Sequence, residues 1–356
     1  MVSAPFFSIV IPTHDRRDRL NEILNEVFKV ENRSVEIVVI DNCSTDGTWE
    51  MLRTLTDERL RVIRNSVLFP AFRSITNSIF LARGKYAIYC NDKDILYADR
   101  IDQLIHYLSN NEYAAVYTTV KRRFHENSFT TRVYEKGFDA LNNISFALHP
   151  TGMVYNRELI RDFIENRKIE LFEHDNCIYS WSLLAVDLVK YGRYCVYDFG
   201  VWGLPSLEYV KTHVAGTGLS NMWFDPIYRY TTAKKFMFHI NDFYRDMEQS
   251  NLLRVDKRLF ETMVFDSILN FKYANMSESE MSHYNRGTRL VTTVELLHIF
   301  YEIVRDLKDV EKSINIHLFD SNYYNQRALM LIKGSLRFDF ICIKNMINHL
   351  DPYRER

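Results

Sequence analysis

Over the first 120 residues, short and almost continuous apolar runs alternate with stretches in which apolar residues recur at helical spacing. Phe7–Ile11 is one such run, closed by Pro12, and Ile37–Ile40 is a second. Leu60–Ile63, Tyr86–Cys90 and Ala114–Thr118 follow. Between them Leu20, Ile23, Leu24 and Val27 mark one helical face, and Trp49, Leu52 and Leu55 mark another. Residues 71–82 read as a helix stopped by Gly84, and Ile101, Leu104, Ile105 and Leu108 fall at i, i+3, i+4 and i+7. Strands bounded by helices need crossover connections. The pattern therefore predicts a Rossmann-like α/β layer, a mainly parallel sheet flanked by helices on both faces.

From about 120 to 220 the pattern is mixed, with short strands, loops and one helix near 175–190. Beyond Asp225 it is almost wholly helical, as in Phe260, Met263 and Val264, then Leu296–Val304, then Leu336–Leu350. Proline suits a first helical turn, so Asp225-Pro226 is the expected start of this region. The expected division is an α/β domain over 1–224 and a helical domain over 225–356, the latter for acceptor, oligomer or membrane contact.

Composition narrows the class. A net charge of -1 over 356 residues argues against nucleic acid as partner, because tracking phosphates needs a basic surface. Five scattered cysteines without a C-x-x-C pair fit a reducing compartment and neither a disulfide framework nor a zinc site. The N-terminus lacks a basic region before its short apolar run, and no apolar stretch approaches the ~20 residues of a membrane span. The expectation is a cytoplasmic protein, with peripheral contact at the inner face of a membrane left open.

Ligands of open parallel sheets bind beyond the carboxyl ends of the strands. Pro12, Thr13, His14 and Asp15 follow the first strand, Asp41 to Thr48 the second, and Asn91, Asp92, Lys93 and Asp94 the Tyr86–Cys90 strand. Three strand ends thus bring acidic residues to one edge, although Ser44 and Asp46 also suit capping of the next helix. No G-x-G-x-x-G or P-loop follows the first strand, against a dinucleotide oxidoreductase or an NTPase. Carboxylates accept hydrogen bonds from ribose hydroxyls and a base N–H, but beside a diphosphate they repel unless a cation intervenes.

FSIVIPTHDRRDRL, EIVVIDNCSTDGT and ARGKYAIYCNDKDILYADRI resemble, in order and spacing, the successive signatures of family 2 glycosyltransferases, inverting enzymes of GT-A fold. The similarity covers roughly residues 6–110 and weakens to about 220. It implies a nucleotide-sugar donor, with Thr13, Asp15 and Asp41 at the uracil and ribose of a UDP-sugar and Asp92 at the ribose. The donor set is then Pro12, Thr13, Asp15, Asp41, Asp92 and Lys93. Lys93 occupies the position that the family commonly gives to a metal-binding aspartate. Either Asp94 takes over a divalent Mn²⁺ or Mg²⁺, with His213 near the diphosphate, or the Lys93 ammonium neutralises the diphosphate itself. The acidic edge of Asp92 and Asp94 outweighs one lysine, which favours the metal.

In Glu173-His174-Asp175 the resemblance places the general base at Asp175, with Glu173 next, against an acidic cluster that merely caps a helix. HPTGMVYNR, with His149 and Gly152, falls at the acceptor-side loop. The Q-x-x-R-W signature of processive synthases is absent, which favours transfer of a single sugar to a saccharide or lipid-linked saccharide hydroxyl in surface-polysaccharide assembly. Two other readings stay open: a sugar-nucleotide nucleotidyltransferase, for which Pro12–Asp15 lacks the glycine-rich basic loop, and a degenerate protein that binds nucleotide-sugars without catalysis.

Overall fold

The computed structural model describes residues 4–120, 130–146, 149–166, 179–205, 225–276, 291–313 and 318–350. The chain forms two compact units, Met1–Ser206 and Leu207–Arg356. The boundary expected at 224/225 borders residues 206–224, which lie outside those described.

In the first unit the parallel layer is β1 (Phe7–Thr13), β2 (Val35–Asp41), β3 (Leu60–Arg64) and β4 (Tyr86–Tyr89). Their helices are α1 (Arg17–Val27), α2 (Thr48–Leu52) and α3 (Ala71–Leu81). After β4 come β5 (Ile95–Leu96), α4 (Ala98–Ser109), β6 (Ala115–Val120), β7 (Thr130–Tyr134) and α5 (Phe138–Asn143). The unit closes with β8 (Met153–Asn156), α6 (Arg157–Asn166), α7 (Ser180–Leu188) and β9 (Tyr194–Gly203). The sheet runs β3-β2-β1-β4-β8-β6-β9-β5, with β7 on β9. Pairing is parallel from β3 to β4; β8 then enters antiparallel to both β4 and β6.

The expected helical faces are the buried ones: Leu20, Ile23, Leu24 and Val27 on α1, and Ile101, Leu104, Ile105 and Leu108 on α4. They cover a core that includes Phe7, Ile9, Ile11, Ile37, Val39 and Ile88. Pro12 does not close β1, which continues to Thr13. The β1–β4 ladder already ends at Val10–Tyr89, so the missing N–H of Pro12 costs no pairing there. Gly84 does more than stop α3. A Cβ on it would stand 2.7 Å from Ser8 Oγ and 2.9 Å from the Phe7 carbonyl carbon, so only glycine lets this turn lie against β1.

The second unit is helical: α8 (Pro226–Phe243), α9 (Gln249–Leu259), a π-helical turn (Phe260–Phe265), α10 (Asp266–Met276), α11 (Thr293–Ser313) and α12 (Ser321–Leu350). Asp225 caps α8 as its residue type predicts, its carboxylate accepting from Ile227 N at 2.9 Å and Tyr228 N at 3.0 Å. Pro226 is the first helical residue. No helix among the described residues is long and apolar enough to cross a membrane.

Candidate active site

Register sets the site. Phe7 pairs with Val35 and Thr13 with Asp41, so β1 and β2 end level and deliver their terminal residues side by side. Asn42 N donates to Thr13 O at 2.8 Å, just past the ends of the strands. Two residues of the emerging loops, Asp15 (φ 50°) and Cys43 (φ 63°), adopt left-handed backbone, a conformation that costs energy outside glycine and gathers at functional sites.

The loops after β1 and β2 are stitched by side chains. Asp15 Oδ1 accepts from Thr45 N at 2.6 Å, and Asp15 N donates to Ser44 Oγ at 2.9 Å. Ser44 therefore braces the neighbouring loop and does not cap α2. Gly47 is the N-cap of α2, and Asp46 just before it accepts from Thr48 N at 3.0 Å and from Arg17 N at 2.9 Å. Asp41 is fully buried; one oxygen accepts from Ser44 N at 3.0 Å and the other faces Arg64 Nε at 3.2 Å. Arg64 is the register partner of Asp41 on β3, and its guanidinium also covers the Trp49 ring at 5.4 Å. Asn42 fixes the segment after β3, accepting from Asn65 Nδ2 at 2.8 Å and Phe69 N at 3.0 Å.

Beyond β4, Asp92 joins the β1 loop. Its Oδ2 accepts from Thr13 Oγ1 at 3.1 Å and His14 N at 3.2 Å, and its Oδ1 meets Arg16 Nε at 3.1 Å. Burial pushes its carboxyl above the ordinary value, against the Arg16 guanidinium, the two hydrogen bonds and the Lys93 ammonium. Lys93 is half-buried, and its carbonyl accepts from Arg19 Nε at 3.0 Å and Nη2 at 2.9 Å. The structure thus brings Thr13, Asp15, Asp41, Asp92 and Lys93 to one edge, with Pro12 buried behind Thr13.

Asp94, five residues after β4 ends at Tyr89, turns inward. It is fully buried, and its Oδ2 accepts from Thr151 Oγ1 at 2.5 Å and Asn91 Nδ2 at 2.9 Å, with His149 Nε2 at 3.6 Å. The His149 ring stacks on Trp202, centroids 4.8 Å apart, and burial holds its imidazole below the ordinary value. Gly152 (φ 89°) lies beneath, where a Cβ would strike the Thr118 hydroxyl and the Trp202 indole.

Asp94 Oδ2 is engaged by Thr151 and Asn91, while its Oδ1 is buried with no hydrogen-bond partner among the described residues. Both oxygens of Asp92 are taken by an arginine and neutral donors. No group of three His, Cys, Asp or Glu among the described residues is arranged to hold a metal. Glu173, Asp175 and His213 lie outside the described residues. Sequence reasoning placed Arg16, Asn42 and Thr151 within its segments without giving them a role, and missed Arg64 and Trp202. Arg64 had a signal, the end of the third strand, and Thr151 lies in the HPTGMVYNR segment; Trp202 had none, because it reaches the site from distant chain.

Residues 8–167 match the family model described as "Glycosyl transferase family 2". Abequosyltransferase RfbV of Salmonella typhimurium is 36% identical over 108 residues, 29% of this chain and 32% of that protein. UDP-Glc:alpha-D-GlcNAc-diphosphoundecaprenol beta-1,3-glucosyltransferase WfaP of Escherichia coli is 23% identical over 105 residues, 30% of this chain and 42% of its own. The chain therefore spans well under two thirds of either relative. Among solved structures, S. aureus TarS 1-349 in complex with UDP-GlcNAc aligns over 87% of this chain and 91% of its own, with a TM-score of 0.52 at 14% identity. Mannosyltransferase PcManGT from Pyrobaculum calidifontis, in complex with GDP-Man and Mn2+, aligns over 94% and 87%, with a TM-score of 0.50 at 14% identity. At such identity these likenesses are of fold.

Proposed function

Residues 8–167 belong to glycosyl transferase family 2, and from that premise we propose that the chain moves a single sugar, with inversion, from a UDP-sugar to a hydroxyl of a saccharide or lipid-linked saccharide. Surface-polysaccharide assembly is the setting. Two relatives support it by their names, WfaP with its diphosphoundecaprenol acceptor and, in Bacillus subtilis, Putative teichuronic acid biosynthesis glycosyltransferase TuaG. The observation that carries the reading is the level ending of β1 and β2 with Asp92 folded onto the β1 loop. It concentrates carboxylates, hydroxyls and loop N–H groups at the ligand edge of a parallel sheet, where base and ribose find acceptors and donors. The UDP-GlcNAc in TarS and the GDP-Man in PcManGT are donors of the class proposed.

In this reading Asp41 and Asp15 receive the base and ribose, and Asp92 the ribose. Lys93 and Arg16 carry positive charge to the diphosphate side, while Asp94 Oδ2 faces Thr151 and Asn91. Asp175 takes the proton from the acceptor hydroxyl as that oxygen attacks the anomeric carbon opposite the departing diphosphate.

A panel of nucleotide-sugars screened by thermal stabilisation tests the proposal, because a ligand of the folded state raises apparent stability by mass action. UDP and at least one UDP-sugar are expected to raise the midpoint, and that sugar to be transferred or slowly hydrolysed. Stabilisation without any turnover would favour a binding protein. No response to any nucleoside diphosphate would end the donor assignment.

A further inference from the structure

The last helix shows two faces of opposite character. Tyr324, Ala328, Leu331 and Ser335, at i, i+4, i+7 and i+11, are buried in the helical unit. Almost opposite lie Leu329 (54% exposed), Leu336 (57%) and Phe340 (67%), with Lys333 between them in the same stripe. Met330 and Arg337 flank it, also exposed. At 1.5 Å per residue the stripe is about 16 Å long. Exposed leucine and phenylalanine in one stripe mark an interaction surface more often than chance scatter does.

Charge decides what covers it. Asp339 is the sole acid between Ser321 and Phe340, and it is paired with the buried Lys272, whose Nζ lies 2.6 Å from Asp339 Oδ1 and 2.8 Å from Ser335 Oγ. The outward stripe is therefore apolar and purely basic. A second copy docked through this stripe about a two-fold axis would set Lys333 and Arg337 against their own likeness. An anionic bilayer accepts both halves of the pattern: apolar side chains enter the acyl boundary, and the basic heads reach lipid phosphates. The helix would lie on the surface and not span it, in keeping with the want of any spanning helix among the described residues.

We infer that the Leu329–Phe340 face of α12 is a docking surface for anionic lipid. The inference is independent of the transferase reading, since its observations come from the second unit alone. The test is co-sedimentation of the full chain with vesicles of phosphatidylglycerol and phosphatidylcholine, and with phosphatidylcholine alone. Binding is expected on the anionic vesicles only, and it should weaken as salt rises. The double change Lys333→Glu and Arg337→Glu should weaken it at least tenfold, given about fivefold per basic residue lost. Leu336→Ser with Phe340→Ser should do the same while leaving the unfolding midpoint in place. Equal sedimentation of native chain and both variants would overturn the proposal. So would light scattering that shows a dimer, no vesicle binding, and a monomer for Leu336→Ser with Phe340→Ser, since a second copy would then be the occupant.

Discussion

Asp92 in the first unit and Asp256 in the second are both held by burial above the ordinary carboxyl range, yet their company differs. Asp92 has a guanidinium, a hydroxyl and a backbone N–H on its two oxygens, with the Lys93 ammonium nearby. Asp41, buried at the end of β2, has Arg64 and Ser44 N–H. Asp256, on α9, accepts from Asn241 Nδ2 at 2.8 Å on one oxygen, and its other oxygen is buried with no partner among the described residues. Burial there pushes the carboxyl from 3.8 up to about 7. At Asp92 cations and hydrogen bonds oppose the rise that burial causes, whereas Asp256 has a single amide against it and its carboxyl rises to about 7.

The largest expected effect falls on Asp256. Between about pH 4 and 7 the folded chain holds a proton that the unfolded chain has released, so stability declines as pH rises through that window. Above pH 7 the full loss is of order 4 kcal/mol. Asp256→Asn removes the titration. Its unfolding midpoint should exceed that of the native chain at pH 8 and converge with it near pH 4. A midpoint difference that does not vary with pH would break the comparison, because Asp256 would then not be the group that holds the proton.

Asp175→Asn sharpens the other side. It should cut transfer ~100-fold or more with donor still bound, whereas Asp256→Asn should leave turnover intact. Turnover near the native rate in Asp175→Asn would move the base elsewhere, Glu173 first. Asp41→Ala should weaken UDP binding by roughly 1.5–3 kcal/mol in calorimetry, the worth of a charge-assisted hydrogen bond. Unchanged affinity would remove Asp41 from the donor site and leave it the role of holding Arg64 and the turn at Ser44.

The smallest expected effect concerns Lys93. Lys93→Ala should raise the donor dissociation constant about tenfold, below the roughly 4 kcal/mol of a unit-charge pair at ~4 Å because the half-exposed site is screened. Turnover should survive EDTA if the Lys93 ammonium is the charge at the diphosphate. Activity abolished by chelation and restored by Mn²⁺ would show that the charge at the diphosphate is a metal's, and that the arrangement around Asp92 and Asp94 changes when donor binds.

What the sequence determined by itself is what depends on neighbours along the chain. Apolar runs and helical faces gave β1 to β4, α1 and α4, and the Asp225-Pro226 pair announced the start of α8, because periodicity and capping act within a few residues. The loops that follow the strands were legible as a ligand edge for the same reason. What only the tertiary structure decided is which of those residues braces a neighbouring loop and which faces the interior. Ser44 and Asp46 read alike as caps, yet Ser44 braces Asp15 across the β1 loop and Asp46 alone meets Thr48. Asp92 and Asp94 read as one acidic pair, yet Asp94 is buried by Thr151, which arrives with β8, and by His149, packed on Trp202 from β9. Strand order and register set those meetings across some sixty to a hundred residues of chain. No local pattern encodes such a distance, because the free energy that fixes it comes from closing the sheet and filling the core beneath it.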